Sequence, residues 1–297
     1  MLKTLLSLLG GCALATACGS SGSSSPAAPS STSSGSSTTT SASPTTLTAA
    51  QTATVGVFTI TFPVGTQTSD VDLIKNAAAA HSSYFQSAFG RTITQASQIV
   101  GSTTDPGCAD PGASAFTGFQ KTTICITNNP GWLGHNTLNR QKILAHELFL
   151  MLGYEMRWLG HPGNQDNFSA HWIDEGSAEF AAWKAVSAEG LLTYSAAKSC
   201  NIAQANAQLP ATVNLSTMET GQGFGRPGAF QVAMLGMDQL TTNPGMGSLM
   251  TYGTAIAAGT SWPTAFQSAF GTSTTDFYNQ WVAYRQSLGS GSDTCGS

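Results

Sequence analysis

The spacing of apolar and polar positions changes character near the middle of the chain. Residues 54–62 (TVGVFTITF) are rich in β-branched and aromatic side chains and stop at Pro63, the pattern of a strand. Ser69, Asp70 and Asp72 then supply helix-start chemistry. Leu73, Ile74, Ala77, Ala80, Tyr84, Phe85 and Ala88 follow at helical spacing up to Gly90. A further strand is predicted over 91–100, a Gly/Pro/Asp loop over 103–119, and a short strand over 121–127 that ends at Asn128-Asn129-Pro130-Gly131. From about residue 137 the period turns helical. The stretch 137–152 carries Leu138, Ile143, Leu144, Leu148, Leu150, Met151 and Leu152 and is expected to end at Gly153. A polar loop is predicted over 155–170, and helices over 174–189, 228–240, 248–258, 263–270 and 274–288. Strands first and helices after, with no internal repeat, predict an α+β fold: a small N-terminal sheet with a helix, then a mainly helical C-terminal part.

The first fifty residues do not share this patterning. Lys3 precedes an apolar stretch (Leu5, Leu6, Leu8, Leu9, Leu14) and small residues that lead to Cys18, the layout of a secretory signal too short to span a bilayer. Small residues ending in Cys resemble a bacterial lipobox, in which the Cys is lipidated and becomes the mature N-terminus. Cys12 follows Leu9-Gly10-Gly11; Cys18 follows Ala15-Thr16-Ala17, leaves a more normal apolar core and runs into Gly19-Ser20-Ser21-Gly22. Cys18 is the expected lipidation site, with 1–17 as the signal peptide and an ordinary cleaved signal as the alternative. Residues 19–50 hold no charge and are mostly Ser, Thr, Ala, Pro and Gly, so they cannot bury enough apolar surface to offset their ordering entropy. The expected arrangement is a disordered tether over 18–50, reaching about 30 Å root-mean-square as a flexible coil, and one folded domain over 51–297. The expected location is the bacterial cell envelope, lipid-anchored and extracytoplasmic, or otherwise secreted.

Charge adds two constraints. Charged residues make up 9% of the chain, against about 25% in average proteins, so Ser, Thr, Gly, Asn and Gln take their place on the surface. The net charge is −4 with no basic cluster, which excludes a nucleic-acid footprint. Apart from the two cysteines of the export region, Cys108, Cys125, Cys200 and Cys295 remain. An even number in an exported chain implies two disulfides, with three possible pairings. The expected pairs are Cys108 with Cys125, flanking one loop-to-strand passage, and Cys200 with Cys295, pinning the C-terminal tail.

Two short stretches carry candidate chemistry. Ala145-His146-Glu147-Leu148-Phe149-Leu150 lies within the predicted 137–152 helix. Trp172-Ile173-Asp174-Glu175-Gly176-Ser177-Ala178-Glu179-Phe180 matches W-x-x-E-G-x-A-x-[YF] at every fixed position. Together they resemble the gluzincin branch of zinc metallopeptidases, the peptidase MA-like domains. The ending Ala265-Phe266-Gln267-Ser268-Ala269-Phe270-Gly271, then Asp276-Phe277 and Trp281, is similar to the A-F-x-x-A-F-G…F-x-x-x-W close of these domains. The likeness covers about 120–288; 51–119 match only by position.

The resemblance implies zinc as cofactor, His146 and Glu175 as ligands, Glu147 as general base and Glu179 as the carboxylate that orients a ligand. It implies that Gly176 and Ala178 allow close helix approach, and that the strand over 121–127 is the sheet edge to which an extended peptide adds. The chain departs from the pattern at one ligand: H-E-x-x-H requires His at 150, and this chain has Leu150. A Tyr that many relatives place over the oxyanion is also missing, and the comparable stretch offers Phe224 and Arg226. His171, four residues before Glu175, is the best substitute ligand; His135 and His161 sit in Gly-rich loops, and His81 is expected to be structural. The favoured expectation is a tethered lipoprotein with a degenerate metallopeptidase-like domain that binds a peptide or protein segment with weak or no hydrolysis. The alternatives are an active zinc peptidase with His171 as relocated ligand, and a surface structural or adhesion lipoprotein.

Overall fold

A computed structural model describes residues 45–159, 169–293 and 295. The order of elements is the predicted α+β one. Strands β1 (Gln51–Val55) and β2 (Phe58–Phe62) form a hairpin. The stretch expected as one strand is folded back on itself because Gly56, at φ 56°, turns the chain between them. Helix α1 (Thr68–Phe89) follows and is closed by Gly90 in the left-handed conformation. It crosses to β3 (Ser97–Gly101), which lies parallel to β2. The folded packing already includes the segment before β1: Leu47 is buried, and its N–H donates to the Thr66 carbonyl at 2.8 Å.

The predicted loop over 103–119 holds a strand, β4 (Ala115–Gly118), antiparallel to β5 (Lys121–Ile124). The sheet order is β1-β2-β3-β5-β4. This corrects the expectation for the edge: β5 pairs on both sides, with β3 and with β4, and it is β4 whose outer side has no strand partner among the described residues. Both expected disulfides are formed, Cys108 to Cys125 and Cys200 to Cys295. The first fastens the loop before β4 to the end of β5. The Asn128 amide reinforces it by donating to the carbonyls of Cys108, Asp110 and Ala113.

The helical half begins with α2 (Thr137–Glu155), capped by the Asn136 side chain, which accepts from the Asn139 N–H at 2.9 Å. It runs through Gly153 rather than stopping there. Gly153 serves packing: a Cβ at that position would lie 2.4 Å from the Trp158 indole nitrogen. Next come α3 (His171–Ala188) and α4 (Tyr194–Gln208), the second unforeseen in the pattern. The chain closes with the single turn α5 (Gly221–Phe224), α6 (Ala229–Thr241), α7 (Gly247–Ala257), α8 (Trp262–Phe270) and α9 (Thr274–Ser287). Among the described residues, no helix is long and apolar enough to cross a membrane.

One continuous apolar core joins the two parts. Phe85 and Phe89 of α1 meet Phe149 of α2, whose ring also meets Trp158. At the other end Trp172 stacks on Phe277 at 5.8 Å and lies edge-on to Phe266. The C-terminal motif is therefore core, packed beneath the start of α3. Helices α3 and α6 touch where a Cβ on Gly176 would come within 2.8 Å of the Ala233 carbonyl oxygen, so the motif glycine is there for close approach.

Candidate functional site

Helices α2 and α3 lie side by side and face one another through stripes of residues at four-residue spacing, polar except for one leucine. On α2 the stripe is Lys142, His146, Leu150 and Tyr154; on α3 it is His171, Glu175, Glu179 and Trp183. The stripes run in opposite directions, as the contacts show. Lys142 Nζ donates to both oxygens of Glu179, at 2.9 and 3.1 Å, and lies over the Trp183 ring. Trp183 Nε1 also donates to Glu179, at 3.1 Å. One turn along, His146 Nδ1 is 3.1 Å from Glu179 Oε2 and its Nε2 is 3.1 Å from Glu175 Oε2. An imidazole that faces carboxylates from both nitrogens donates from both and is a cation.

Electrostatics follow from that geometry. Burial disfavours charge on His146, but its bonds to Glu175 and Glu179, together with the nearby Glu175 and Glu147 charges, raise its pKa to about 10. Burial likewise works against a charged Glu179, yet Lys142 and His146 hold its carboxyl down at about 2. Glu147 is buried and one of its oxygens, Oε2, has no hydrogen-bond partner. Burial pushes its pKa up, and the neighbouring His146 and Thr117 only partly offset this. Burial also raises Asp174 well above the usual carboxylate range, in spite of a bond to Ser169.

The strand β4 lies against this region: Thr117 Oγ1 donates to the Glu147 backbone carbonyl at 3.2 Å and pairs with Thr122 Oγ1 at 2.7 Å. Aromatic rings line the other side. Phe230 of α6 meets His146 at 5.8 Å between ring centroids, Phe224 meets His171 at 5.0 Å, and the two phenylalanines meet each other at 4.9 Å.

The expected site residues separate into those brought together and those left apart. His146, Glu175 and Glu179 converge. Glu147 stands beside them. His171 is the first residue of α3 rather than part of the preceding loop, and its Nε2 is 3.9 Å from Glu175 Oε1. Arg226 is used elsewhere, donating to the Gly223 carbonyl at 2.9 Å and to Thr217 Oγ1 at 2.7 Å. His135 is tied to Ser114 at 3.1 Å, and burial followed by the Lys142 and Arg140 charges lowers its pKa. His81 is structural as expected: fully buried, 2.6 Å from Glu189 and 3.1 Å from the Gln141 carbonyl. His161, Cys12 and Cys18 lie outside the described residues.

Two residues of the cluster were not anticipated. Lys142 could have been found one turn before His146. Tyr154 lies near Glu175, Asp174 and Glu147, whose charges add to burial in raising its phenol pKa. Its signal was the same spacing, two turns past His146.

A catalytic zinc takes three protein ligands and a water. Here two donor atoms, His146 Nε2 and Glu175 Oε2, face one another, and the third position is the hydrocarbon of Leu150, half-buried and packed on the core. Among the described residues no group of three His, Cys, Asp or Glu side chains could hold a metal ion. The described residues do not fit a catalytic zinc.

No family model matches the chain, and no curated protein matches it in sequence. Solved structures do match its fold. An M1 zinc metallopeptidase from Deinococcus radiodurans superposes with a TM-score of 0.51 at 14% identity, over 80% of this chain and 52% of that one. A mutant of a two-domain M1 zinc metallopeptidase bound to L-tryptophan superposes with a TM-score of 0.51 at 15% identity, over 78% of this chain and 51% of the other. The chain thus spans about half the length of the structures it matches. The likeness fixes the architecture: a zincin-like, metallopeptidase-like α+β fold.

Proposed function

We propose that this chain is an exported, membrane-tethered protein whose metallopeptidase-like domain binds an extended peptide or protein segment without appreciable hydrolysis. The observation that supports this reading is the unpaired side of β4 running beside α2, next to a cradle whose third donor position is aliphatic. The Cys125 N–H donates to the Ser114 carbonyl, so Ala115 and Thr117 turn their backbone groups away from β5 and toward any added strand. Phe230, half-buried beside His146, supplies apolar contact near the cradle. Two disulfides suit an oxidising, extracytoplasmic compartment.

The test is capture of extended peptides on an array by the full chain and by Ala115→Pro, which removes one outward N–H on an edge strand where proline is tolerated. Capture should fall about tenfold or more, the scale of losing one or two backbone hydrogen bonds, with little change in Tm. Equal capture by Ala115→Pro, or peptide fragments in the mass spectrum, would sink this reading. A rival reading keeps hydrolysis and uses His171 as a third donor; it draws on the one-turn spacing of His171 and Glu175. It requires that His171→Ala abolish cleavage that the parent chain displays.

A further inference from the structure

The two facing stripes leave one question: what organises a ligand cradle that lacks a ligand. Glu179 is 2% exposed and has every acceptor position used. Oε1 accepts from Lys142 and Trp183; Oε2 accepts from Lys142 and His146. Lys142 is the only one of these donors whose charge does not depend on a ring proton. Its side chain is 17% exposed, clamped between Glu179 and the Trp183 ring, so it is a fixed charge and not a waving surface lysine.

We infer that Lys142 is a positioning residue that stands in for a metal: its ammonium fixes Glu179, Glu179 fixes the His146 ring, and the α2–α3 seam holds a resident cation of its own. Glu175 and Glu179 bring two carboxylates to the His146 ring, and Lys142 sets an ammonium against both oxygens of Glu179. A zinc ion arriving at Glu175 would meet a resident ammonium behind the histidine and the hydrocarbon of Leu150 in front. Loss of the ammonium removes one positive charge from the seam and makes it more receptive to a divalent cation. This is independent of what occupies the cleft, so peptide capture can fail without touching it.

The experiment uses the full purified chain, its Lys142→Met and Lys142→Arg variants, zinc chloride and EDTA. Zinc affinity is read by competition with a chromophoric chelator, and thermal stability is read alongside. The parent chain should hold no stoichiometric zinc at micromolar concentration, and its Tm should not move with EDTA. Lys142→Met should lose Tm and gain zinc affinity by about tenfold or more; Lys142→Arg should restore both. A lysine that merely packs would lower Tm and leave zinc affinity alone, and that result overturns the proposal. So does stoichiometric zinc in the parent chain that EDTA strips with a loss of Tm, a measurement that stands even where Lys142→Met does not fold.

Discussion

The two ends of the α2–α3 seam have been treated differently. At the inner end, Lys142, His146, Glu179 and Trp183 match every acceptor of a buried carboxylate. At the cleft end, Leu150 offers no polar atom, Glu147 keeps an unpartnered buried oxygen, and Tyr154 sits among acids. The inner end does the work of holding two helices in register, and that work remains whether or not a metal is bound. At the other end that pairing is absent. Full pairing of buried polar atoms is thus confined to one end of the seam.

The sharpest way to break this comparison is Glu179→Leu, which leaves the Lys142 and His146 cations buried without their carboxylate. Stability should fall by about 3–5 kcal/mol in denaturant titration; a loss below about 1 kcal/mol, the level of an exposed pair, would show that the inner end carries little load. Next in size is pH. His146 is raised from 6.5 to about 10, so its stabilisation is complete below 6.5 and is lost as pH rises through 10. Glu179 is lowered from 4.5 to about 2, so its share is complete above 4.5 and lost as pH falls through 2. Glu147 and Asp174, both raised, also favour the acid side. Tm should be highest between 4.5 and 6.5 and decline steadily toward pH 10; a Tm that climbs from neutral to alkaline pH contradicts the assignment of charges. The smallest effect belongs to the cleft end. Tyr154→Phe should change stability by no more than about 0.5 kcal/mol, and a larger loss would mean that the open end is also structural.

Much of this architecture was legible in the chain. Helical spacing located α6, α8 and α9, the Trp172–Phe180 motif located α3, and cysteine positions located both disulfides. The edge strand was not legible. Ala115–Gly118 is four residues of AFTG with no clear alternation, set in a Gly/Pro loop, and becomes a strand only through its tertiary pairing with β5. Helix α4 has a diffuse apolar pattern and is fixed by its disulfide and by Arg285, which donates to the carbonyls of Ala205, Leu209 and Pro210. At the site, His146, Glu175 and Glu179 were legible because motif spacing sets helix faces. The fate of Arg226 was not, since its hydrogen bonds to the Gly223 and Thr217 loop depend on a turn that no local signal announces.

The bridge between Cys108 and Cys125 ties the approach to β4 onto the sheet. One edge of the sheet is thus fastened by oxidation, whereas the α2–α3 seam needs none. Under reducing conditions the α2–α3 seam would keep its contacts while the approach to β4 would lose its covalent tie.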